Sequence, residues 1–292
     1  MAPSPSPPPR DAGDAGETGA TRADRGELVA YFHENGVKAR EGRLFHGRRD
    51  GVWKGWYENG AQQYEGVFRN YGRVGHWVYW ENTGVKKMEG DWKDGKKHGK
   101  WTYYQADGSK QTEGPYEGDL RTGRWTTWNA TGGKMREGDF LFEIRHGTWI
   151  NYYEDGTKWS EGPYVRGVQE GPWRRWHQNG KLDFEGMYLA GKEDGPWKRW
   201  HKNGELESEG SYSVGKMTGE WVCYHDNGQK RYQGRREADE AIGIWTYWRE
   251  NGQKLAEGLM ANGKRQGVWR FWKEDGSPDE EQSGDYVDGV KK

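Results

Sequence analysis

The chain has 292 residues, of which 45 are Lys or Arg and 46 are Asp or Glu, so its formal net charge is −1. This balance provides no overall basic field, and binding to nucleic acid is therefore not expected. Hydrophobic residues make up only 32% of the chain, too little for one deep aliphatic core, whereas 19 Trp and 17 Tyr indicate that rings supply the buried surface.

Residues 1–26 are rich in Pro, Ser, Gly, Ala and Asp, and we interpret them as a disordered leader because they contain almost nothing to bury. The leader has no apolar segment of the kind found in signal peptides, and the sequence has no apolar run long enough to span a membrane. These observations favour a cytoplasmic location.

A Gly-x-Trp tripeptide occurs ten times after the leader at a constant spacing of 24 residues. A fixed period of this length is typical of one small structural unit stacked on copies of itself, so residues 27–292 are interpreted as a single repeat array. The Trp residues of the tripeptides define the Trp53 column: Trp53, Trp77, Trp101, Trp125, Trp149, Trp173, Trp197, Trp221, Trp245 and Trp269.

Each repeat places a dipeptide, usually Asn-Gly or Asp-Gly, between two runs that carry aromatic residues, as at Asn59-Gly60 and Asp107-Gly108. Both residues of this dipeptide accept a positive φ, which a two-residue hairpin turn requires, and each repeat is therefore predicted to be a β-hairpin. At Thr83-Gly84 and Thr131-Gly132 a β-branched residue resists positive φ, and there we predict a type I turn with a Gly bulge instead.

The predicted fold class is all-β, an elongated single-layer antiparallel β-meander or solenoid of about eleven 24-residue hairpin repeats. Residues 27–50 form a cap-like N-terminal repeat, because they keep Asn35-Gly36 but lack the Gly-x-Trp tripeptide. Residues 267–292 form a cap-like C-terminal repeat, since Pro278 and the acidic residues that follow it would block pairing with a further strand.

A two-residue turn at Asn59-Gly60 pairs Tyr57 with Gln62 and Trp53 with Gly66. Each ring of the Trp53 column then lies opposite a glycine of its own hairpin, and the ring covers backbone that water would otherwise reach. We therefore assign a structural role to the column and to its glycine partners: Gly66, Gly90, Gly114, Gly138, Gly162, Gly186 and Gly210.

A second aromatic column lies three residues after the first. Because side chains alternate between the two faces of a strand, this odd spacing places the second column on the other face of the sheet. We take it as the candidate binding surface and call it the Trp56 column: Trp56, Trp80, Tyr104, Trp128, Tyr152, Trp176, Trp200, Tyr224, Trp248 and Trp272.

The combination of Gly-x-Trp-x-x-Trp/Tyr, Asn-Gly, Glu-Gly-x-Tyr and the segment Gly-Lys-Lys-His-Gly at 95–99 resembles MORN repeats, in the variant form common in bacteria. The resemblance covers residues 27–289 and implies a single-layer antiparallel sheet without a catalytic centre or a cofactor, so an enzyme is not expected. It further implies a scaffold, a dimerisation module or a peripheral lipid binder, and bacterial proteins of this kind are often assigned the role of antitoxin in a toxin–antitoxin pair.

His177, His201 and His225 share one position before the turn, which raises the question of a metal site. Equivalent residues of adjacent repeats stand about 10 Å apart, whereas nitrogen ligands of one ion come within about 4 Å of each other, so no metal site is expected. The glutamates that recur with the repeat, such as Glu65 opposite Lys54, are better explained as cross-strand charge pairs than as catalytic acids.

The sequence therefore predicts a non-catalytic scaffold that binds a protein partner, with self-association through exposed sheet edges as one form of this binding. One alternative is a peripheral phospholipid-binding module, in which basic loops between repeats, at residues 48–49 and 96–98, contact an anionic membrane surface. Another is a module that stacks glycan or choline groups on its aromatic stripe.

Overall fold

The computed structural model describes residues 26–292, so all but the last residue of the predicted leader lies outside the described residues. Every regular element in the described part is a β-strand, and consecutive paired strands run antiparallel. The strands belong to two compact units, the first ending at Lys96 and the second covering Lys97–Lys292. The predicted all-β, single-layer antiparallel meander is therefore confirmed.

The strands of the first unit are β1 (Glu27–Phe32), β2 (Lys38–Phe45), β3 (Arg48–Trp56), β4 (Gln62–Arg69), β5 (Gly72–Trp80) and β6 (Lys86–Lys93). Strand β7 (Lys96–Tyr104) begins at the boundary between the units. The remaining strands are β8 (Lys110–Glu117), β9 (Leu120–Arg121), β10 (Gly123–Trp128), β11 (Lys134–Leu141), β12 (Ile144–Tyr152), β13 (Lys158–Val165), β14 (Val168–Gln169), β15 (Gly171–Trp176), β16 (Leu182–Leu189), β17 (Lys192–Trp200), β18 (Leu206–Ser213), β19 (Lys216–Tyr224), β20 (Lys230–Glu237), β21 (Glu240–Trp248), β22 (Lys254–Ala261), β23 (Lys264–Phe271), β24 (Gly284–Val287) and β25 (Val290–Lys291).

The turn within each hairpin differs from the two-residue turn that we predicted. Gly60 N donates to Tyr57 O at 2.9 Å, Tyr57 N donates to Ala61 O at 2.8 Å, and Gly60 alone in this loop has a positive φ, of 86°. This is a three-residue loop made of a type I turn and a Gly bulge. The same bonds recur at the other Asn-Gly, Asp-Gly and Thr-Gly pairs, so the bulged form predicted for two copies applies to all of them.

Asparagine is therefore favoured in the turn by its amide group rather than by its tolerance of positive φ. Asn59 Oδ1 accepts a hydrogen bond from Ala61 N at 3.0 Å, which closes the turn locally. Its Nδ2 donates to Asn82 O in the next repeat at 2.7 Å. The turn residue thus also fastens one hairpin to the following one.

The predicted pairing of Trp53 with Gly66 is present even though the predicted turn is wrong. A second irregularity offsets the longer loop, because Trp56 rather than Tyr57 pairs with Gln62 and one extra residue bulges from β4. The longer loop and the bulge shift the register in opposite directions, so the predicted pairing holds from Gly55 and Tyr64 onward.

Two-residue turns with positive φ at both positions do occur, but they connect successive repeats. Arg69 pairs with Gly72 across Asn70 and Tyr71, whose φ values are 46° and 73°. This is the geometry of a type I′ turn, whose twist matches that of the flanking strands. The tight hairpin turn predicted inside the repeat therefore lies between repeats.

A larger bulge explains the Gly-x-Trp tripeptide. In the ladder between β4 and β5, Glu65 pairs with Val78 whereas Val67 pairs with Val74, which leaves two extra residues in β5. One of them is Gly75, whose φ of 63° suits glycine.

The bulge brings Trp77 back over the preceding repeat. A methyl group at Gly66 would lie only 2.0 Å from Trp77 Cδ2, so the ring of the next repeat covers this glycine. The prediction that its ladder partner Trp53 covers it is wrong. The predicted glycines that lie beneath the following ring in this way are Gly66, Gly114, Gly138, Gly162, Gly186 and Gly210. Gly90 is buried and pairs with Trp77.

The indole N–H of the covering ring completes the contact. Trp77 Nε1 donates to Val67 O at 3.2 Å, and Trp173 Nε1 donates to Pro163 O at 3.2 Å. In both cases the acceptor is the carbonyl of the residue that follows the covered glycine, where the bulge interrupts the ladder. Phe has no donor at this point, so Trp is the residue that both covers the glycine and donates a hydrogen bond to this carbonyl.

The covering contact predicts the effect of Gly162→Ala. The added methyl group would lie 2.2 Å from Trp173 Cδ2, and overpacking of this kind costs about 1–3 kcal/mol. The free energy of unfolding in urea should fall by that amount. Combining the change with Trp173→Ala should remove the crowding, whereas combining it with Trp149→Ala should not, because the Trp149 ring lies over Gly138. Coupling to Trp149 instead of Trp173 would contradict this arrangement.

Candidate functional site

The face of the sheet that carries the Trp53 column is closed by ring-to-ring packing, and we call it the ladder face. Every ring of the column is 4% exposed or less. These rings alternate edge-to-face with a second set of aromatics: the centroid of Phe140 lies 5.0 Å from that of Trp149, and Tyr164 follows at 6.4 Å. The Trp53 column is thus part of the core, and its rings are closed to a ligand.

Cationic side chains cover the outer side of this ring packing. Arg145 Cζ lies 4.7 Å from the ring centroid of Trp149 and 5.3 Å from that of Tyr164. Arg121 Cζ lies 4.0 Å from the centroid of Phe140. At these distances the guanidinium groups are attracted to the ring faces and shield them from water.

The basic residues that we predicted to lie in loops between repeats instead open strands β3 and β7. Arg49 Cζ lies 4.8 Å from the ring centroid of Trp53, and Lys97 Nζ lies 4.6 Å from that of Trp101. The loop prediction is therefore wrong. Ladder pairing of the strand and stacking on the ring fix these cations against the sheet.

The opposite face carries the Trp56 column, and all of its ten rings are half-buried. Gly55 lies beneath the Tyr64 ring on the ladder face, where a methyl group would come within 2.2 Å of that ring. Since side chains alternate along a strand, Trp56 points to the opposite face. The candidate binding surface is therefore a half-exposed aromatic column on a sheet face of its own.

Lysine–glutamate pairs accompany the rings of the Trp56 column. Lys158 Nζ lies 5.1 Å from the ring centroid of Trp176 and 2.6 Å from Glu161 Oε2. The predicted cross-strand pair of Lys54 with Glu65 is also present, at 3.3 Å. The column is thus flanked by balanced charges, which in solvent contribute little to stability.

Two tyrosines of the column, Tyr152 and Tyr224, donate hydrogen bonds to carboxylates. Tyr152 OH donates to Glu137 Oε1 at 2.7 Å, and burial together with this bond raises the pKa of Tyr152 to about 12. Burial alone would raise the pKa of Glu137, but hydrogen bonds from Lys134 and Tyr152 outweigh it and leave this pKa below its ordinary value. The tyrosine is therefore neutral and the glutamate charged at neutral pH.

Exposed apolar residues lie beside the Trp56 column, and the sequence analysis did not single them out. The middle residue of Gly-x-Trp precedes a buried Trp and so points to the opposite face. At this position Val52, Ile244 and Val268 are 53%, 61% and 66% exposed. Alternation alone was the signal that could have found them.

The three histidines considered as metal ligands each bind a backbone carbonyl in the following repeat. His177 Nε2 lies 2.9 Å from Trp200 O, and His201 and His225 make the equivalent contacts at 3.1 Å. Among the described residues no group of three or more His, Cys, Asp or Glu could hold a metal ion. The histidines therefore connect repeats.

Comparison with known families identifies the repeat. Six segments match the MORN repeat variant family, at residues 49–70, 97–117, 145–166, 169–190, 193–213 and 217–235. The first of these matches covers β3, the bulged turn and β4, which is one hairpin of the array. The chain is a MORN-repeat protein, as the sequence motifs indicated. Such repeats form scaffolds that commonly bind proteins or membranes.

Solved structures with a similar chain path are more distant. The crystal structure of TcdB2-TccC3 is 12% identical over 90% of this chain and 15% of that chain, with a TM-score of 0.20. The crystal structure of TcdB2-TccC3-TEV is 11% identical over 89% of this chain and 15% of that chain, with a TM-score of 0.21. The chain spans a small part of those proteins, and the overlap is too loose to bear on function. No curated protein matches the sequence.

The glutamates of the opposite face predict acid sensitivity. Hydrogen bonding to Lys254 lowers the pKa of Glu257, and the pKa of Glu137 is also lowered. A carboxyl group whose pKa is lower in the folded state stabilises the fold above its unfolded pKa of about 4.3, and this stability is lost as the pH falls through the folded pKa. Urea unfolding should therefore require less denaturant at pH 3.5 than at pH 6.

The matched variants for this pH dependence are Glu257→Gln and Glu220→Gln. The first removes one of the titrating groups and should flatten the acid decline of the unfolding free energy. Glu220 is exposed, and its replacement should leave the pH profile as it is in the parent. An identical profile in all three proteins would show that these glutamates do not control acid stability.

Proposed function

We propose that this MORN-repeat protein is a non-catalytic scaffold that binds a protein partner through the face carrying the Trp56 column. The observation that carries the proposal is the contrast between the two columns. Rings of the Trp53 column are sealed in the core, whereas those of the Trp56 column are half-exposed. Aromatic rings with a polar rim are enriched where proteins bind each other.

The residues around the column support a protein partner. Exposed Ile244 and Val268 add apolar surface beside the rings, and pairs such as Lys158 with Glu161 add charges of both signs. A mixed apolar and charged surface of this kind is complementary to another protein surface. The antitoxin role implied by the resemblance would be one form of this function, with a toxin as the partner.

The two alternatives have less support. Lys158 and Lys254 lie 5.1 Å and 5.6 Å from the rings of Trp176 and Trp272, where a choline ammonium group would have to stack. An anionic phospholipid surface would be held by an excess of basic residues, but the chain has a net charge of −1. None of the described residues forms a helix long and apolar enough to cross a bilayer, and peripheral binding would require none.

The proposal predicts that partner binding depends on the Trp56 column. The parent chain and a Trp176→Ser/Trp200→Ser variant are used as affinity baits in extract of the source cells, and retained proteins are quantified by mass spectrometry. At least one protein should be retained by the parent and lost from the variant, because truncating central rings removes most of the binding energy. Circular dichroism checks that both baits are folded.

The matched control is Trp159→Ser, because Trp159 is 43% exposed and lies outside both columns. This variant should retain the same proteins as the parent. Equal retention by all three baits would exclude the Trp56 column as the binding surface. Flotation of the parent with neutral vesicles, lost from the double variant, would point to a membrane instead.

A further inference from the structure

The ladder face has a groove where threonine occupies two positions that some other repeats fill with a ring. Thr127 takes the place that Tyr103 fills one repeat earlier, and Thr112 takes the place that Phe184 fills three repeats later. The small side chains leave a depression of about 360 Å³. Trp125, Phe140 and Trp149 also line it. Small side chains at two positions that vary between repeats, rather than a loop, thus create this groove.

A second depression of about 450 Å³ extends the first toward Tyr103. The residues that line both are Thr112, Arg121, Trp125, Thr127 and Arg136. From Tyr103 in β7 to Trp149 in β12 the groove crosses four strand spacings, or about 19 Å at 4.8 Å each. An extended peptide of about six residues, at roughly 3.3 Å per residue, has this length.

The guanidinium groups of Arg121, Arg136 and Arg145 line the groove together with one carboxylate. Glu143 is that carboxylate, and it pairs with Arg121 at 2.7 Å. Arg145 stacks on Trp149 and donates to Tyr164 OH at 3.2 Å. Among residues 26–292 neither Arg136 nor Arg145 forms an ion pair with a carboxylate, so the groove contains more positive than negative charge.

The positive charge of the groove contrasts with the net charge of the whole chain, which is −1. A second hollow further along the ladder face, lined by Arg199, Arg231, Arg236 and Glu207, has the same excess of arginine. Guanidinium groups bind carboxylates through paired, charge-assisted hydrogen bonds, and the half-buried ring of Phe140 accepts apolar atoms between them. The Thr112 hydroxyl already donates to Thr126 O at 3.0 Å, so Thr127 is the threonine whose hydroxyl can donate to an anion.

We propose that this arginine groove binds an extended, carboxylate-rich segment of a partner protein. The proposal rests on the proposed protein-binding function, but it assigns a second contact on the ladder face and gives the chemistry of the segment that fills it. The length of the groove favours a peptide over a single lipid headgroup. Arg136 and Arg145 bind two carboxylates, while the half-buried ring of Phe140 lies beneath the chain between them.

The test uses fluorescein-labelled octaglutamate as the probe and octaglutamine as its uncharged control, with fluorescence anisotropy measured on the full chain at low salt. Octaglutamate should bind saturably and octaglutamine should not. Arg136→Gln should weaken octaglutamate binding about tenfold, because it removes charge-assisted hydrogen bonds. Arg136 is exposed, and circular dichroism should show that its replacement leaves the fold intact.

Arg174→Gln is the matched control, because Arg174 lies on the opposite face and pairs with Glu185. It changes the net charge by the same amount and should leave octaglutamate binding unchanged. The proposal is overturned if the parent does not bind octaglutamate, or if both arginine variants weaken binding equally. It is also overturned if Arg136→Gln reduces flotation with phosphatidylserine vesicles but not octaglutamate binding, since the groove would then serve a membrane.

The two proposals can fail separately. The Trp176→Ser/Trp200→Ser variant changes only the opposite face and should bind octaglutamate like the parent. If octaglutamate does not bind while partner retention still depends on Trp176 and Trp200, the arginine groove is wrong and the scaffold function stands. If octaglutamate binds as described while retention is the same for every bait, the groove stands and the Trp56 column is wrong.

Discussion

The structure depends on one contact, in which a tryptophan folds back over a glycine of the preceding repeat. Trp173 covers Gly162 and donates its indole N–H to Pro163 O, so a single side chain supplies both apolar burial and a hydrogen bond across the repeat boundary. A hairpin of 24 residues cannot offset its own ordering entropy, which is on the order of 1–2 kcal/mol per residue for the backbone. Each repeat is stable because its neighbour closes it, which is the one-dimensional logic of repeat proteins.

This contact also divides the work between the two faces. Covering the glycines requires the rings of the Trp53 column to pack into the core, and the ladder face is then closed except at hollows such as the arginine groove. The rings of the Trp56 column do not cover these glycines, and they remain half-exposed beside Val52, Ile244 and Val268. The position of a residue within the repeat thus decides whether it has a structural or a binding role. The residues at exposed positions differ from one repeat to another while the fold stays the same.

The repeat period, the hairpins and the pairing of Trp53 with Gly66 could all be predicted from the sequence, because they follow from spacing and alternation. The turn at Asn59-Gly60 could not, since Asn-Gly suits both a two-residue turn and a type I turn with a Gly bulge. Because a bulge in β4 compensates for the longer turn, the predicted register was right although the predicted turn was wrong. The ring that covers Gly66 was also mistaken, because Trp53 and Trp77 flank that glycine on its two neighbouring strands and only the three-dimensional bulge selects Trp77. Similarly, the arginine groove needs residues from several strands, so no local motif in the sequence identifies it.

The covering contact can be tested most directly by hydrogen exchange of the indole N–H protons, followed by NMR on protein labelled at tryptophan. The Trp53 column should exchange slowly, because bonds such as those of Trp149 Nε1 to Asp139 O and Trp221 Nε1 to Ser211 O, at 3.0 Å and 3.2 Å, must open first. The half-buried tryptophans of the Trp56 column should exchange much faster. Equal exchange rates for the two columns would contradict the account, because the first column would then be no more closed to water than the second.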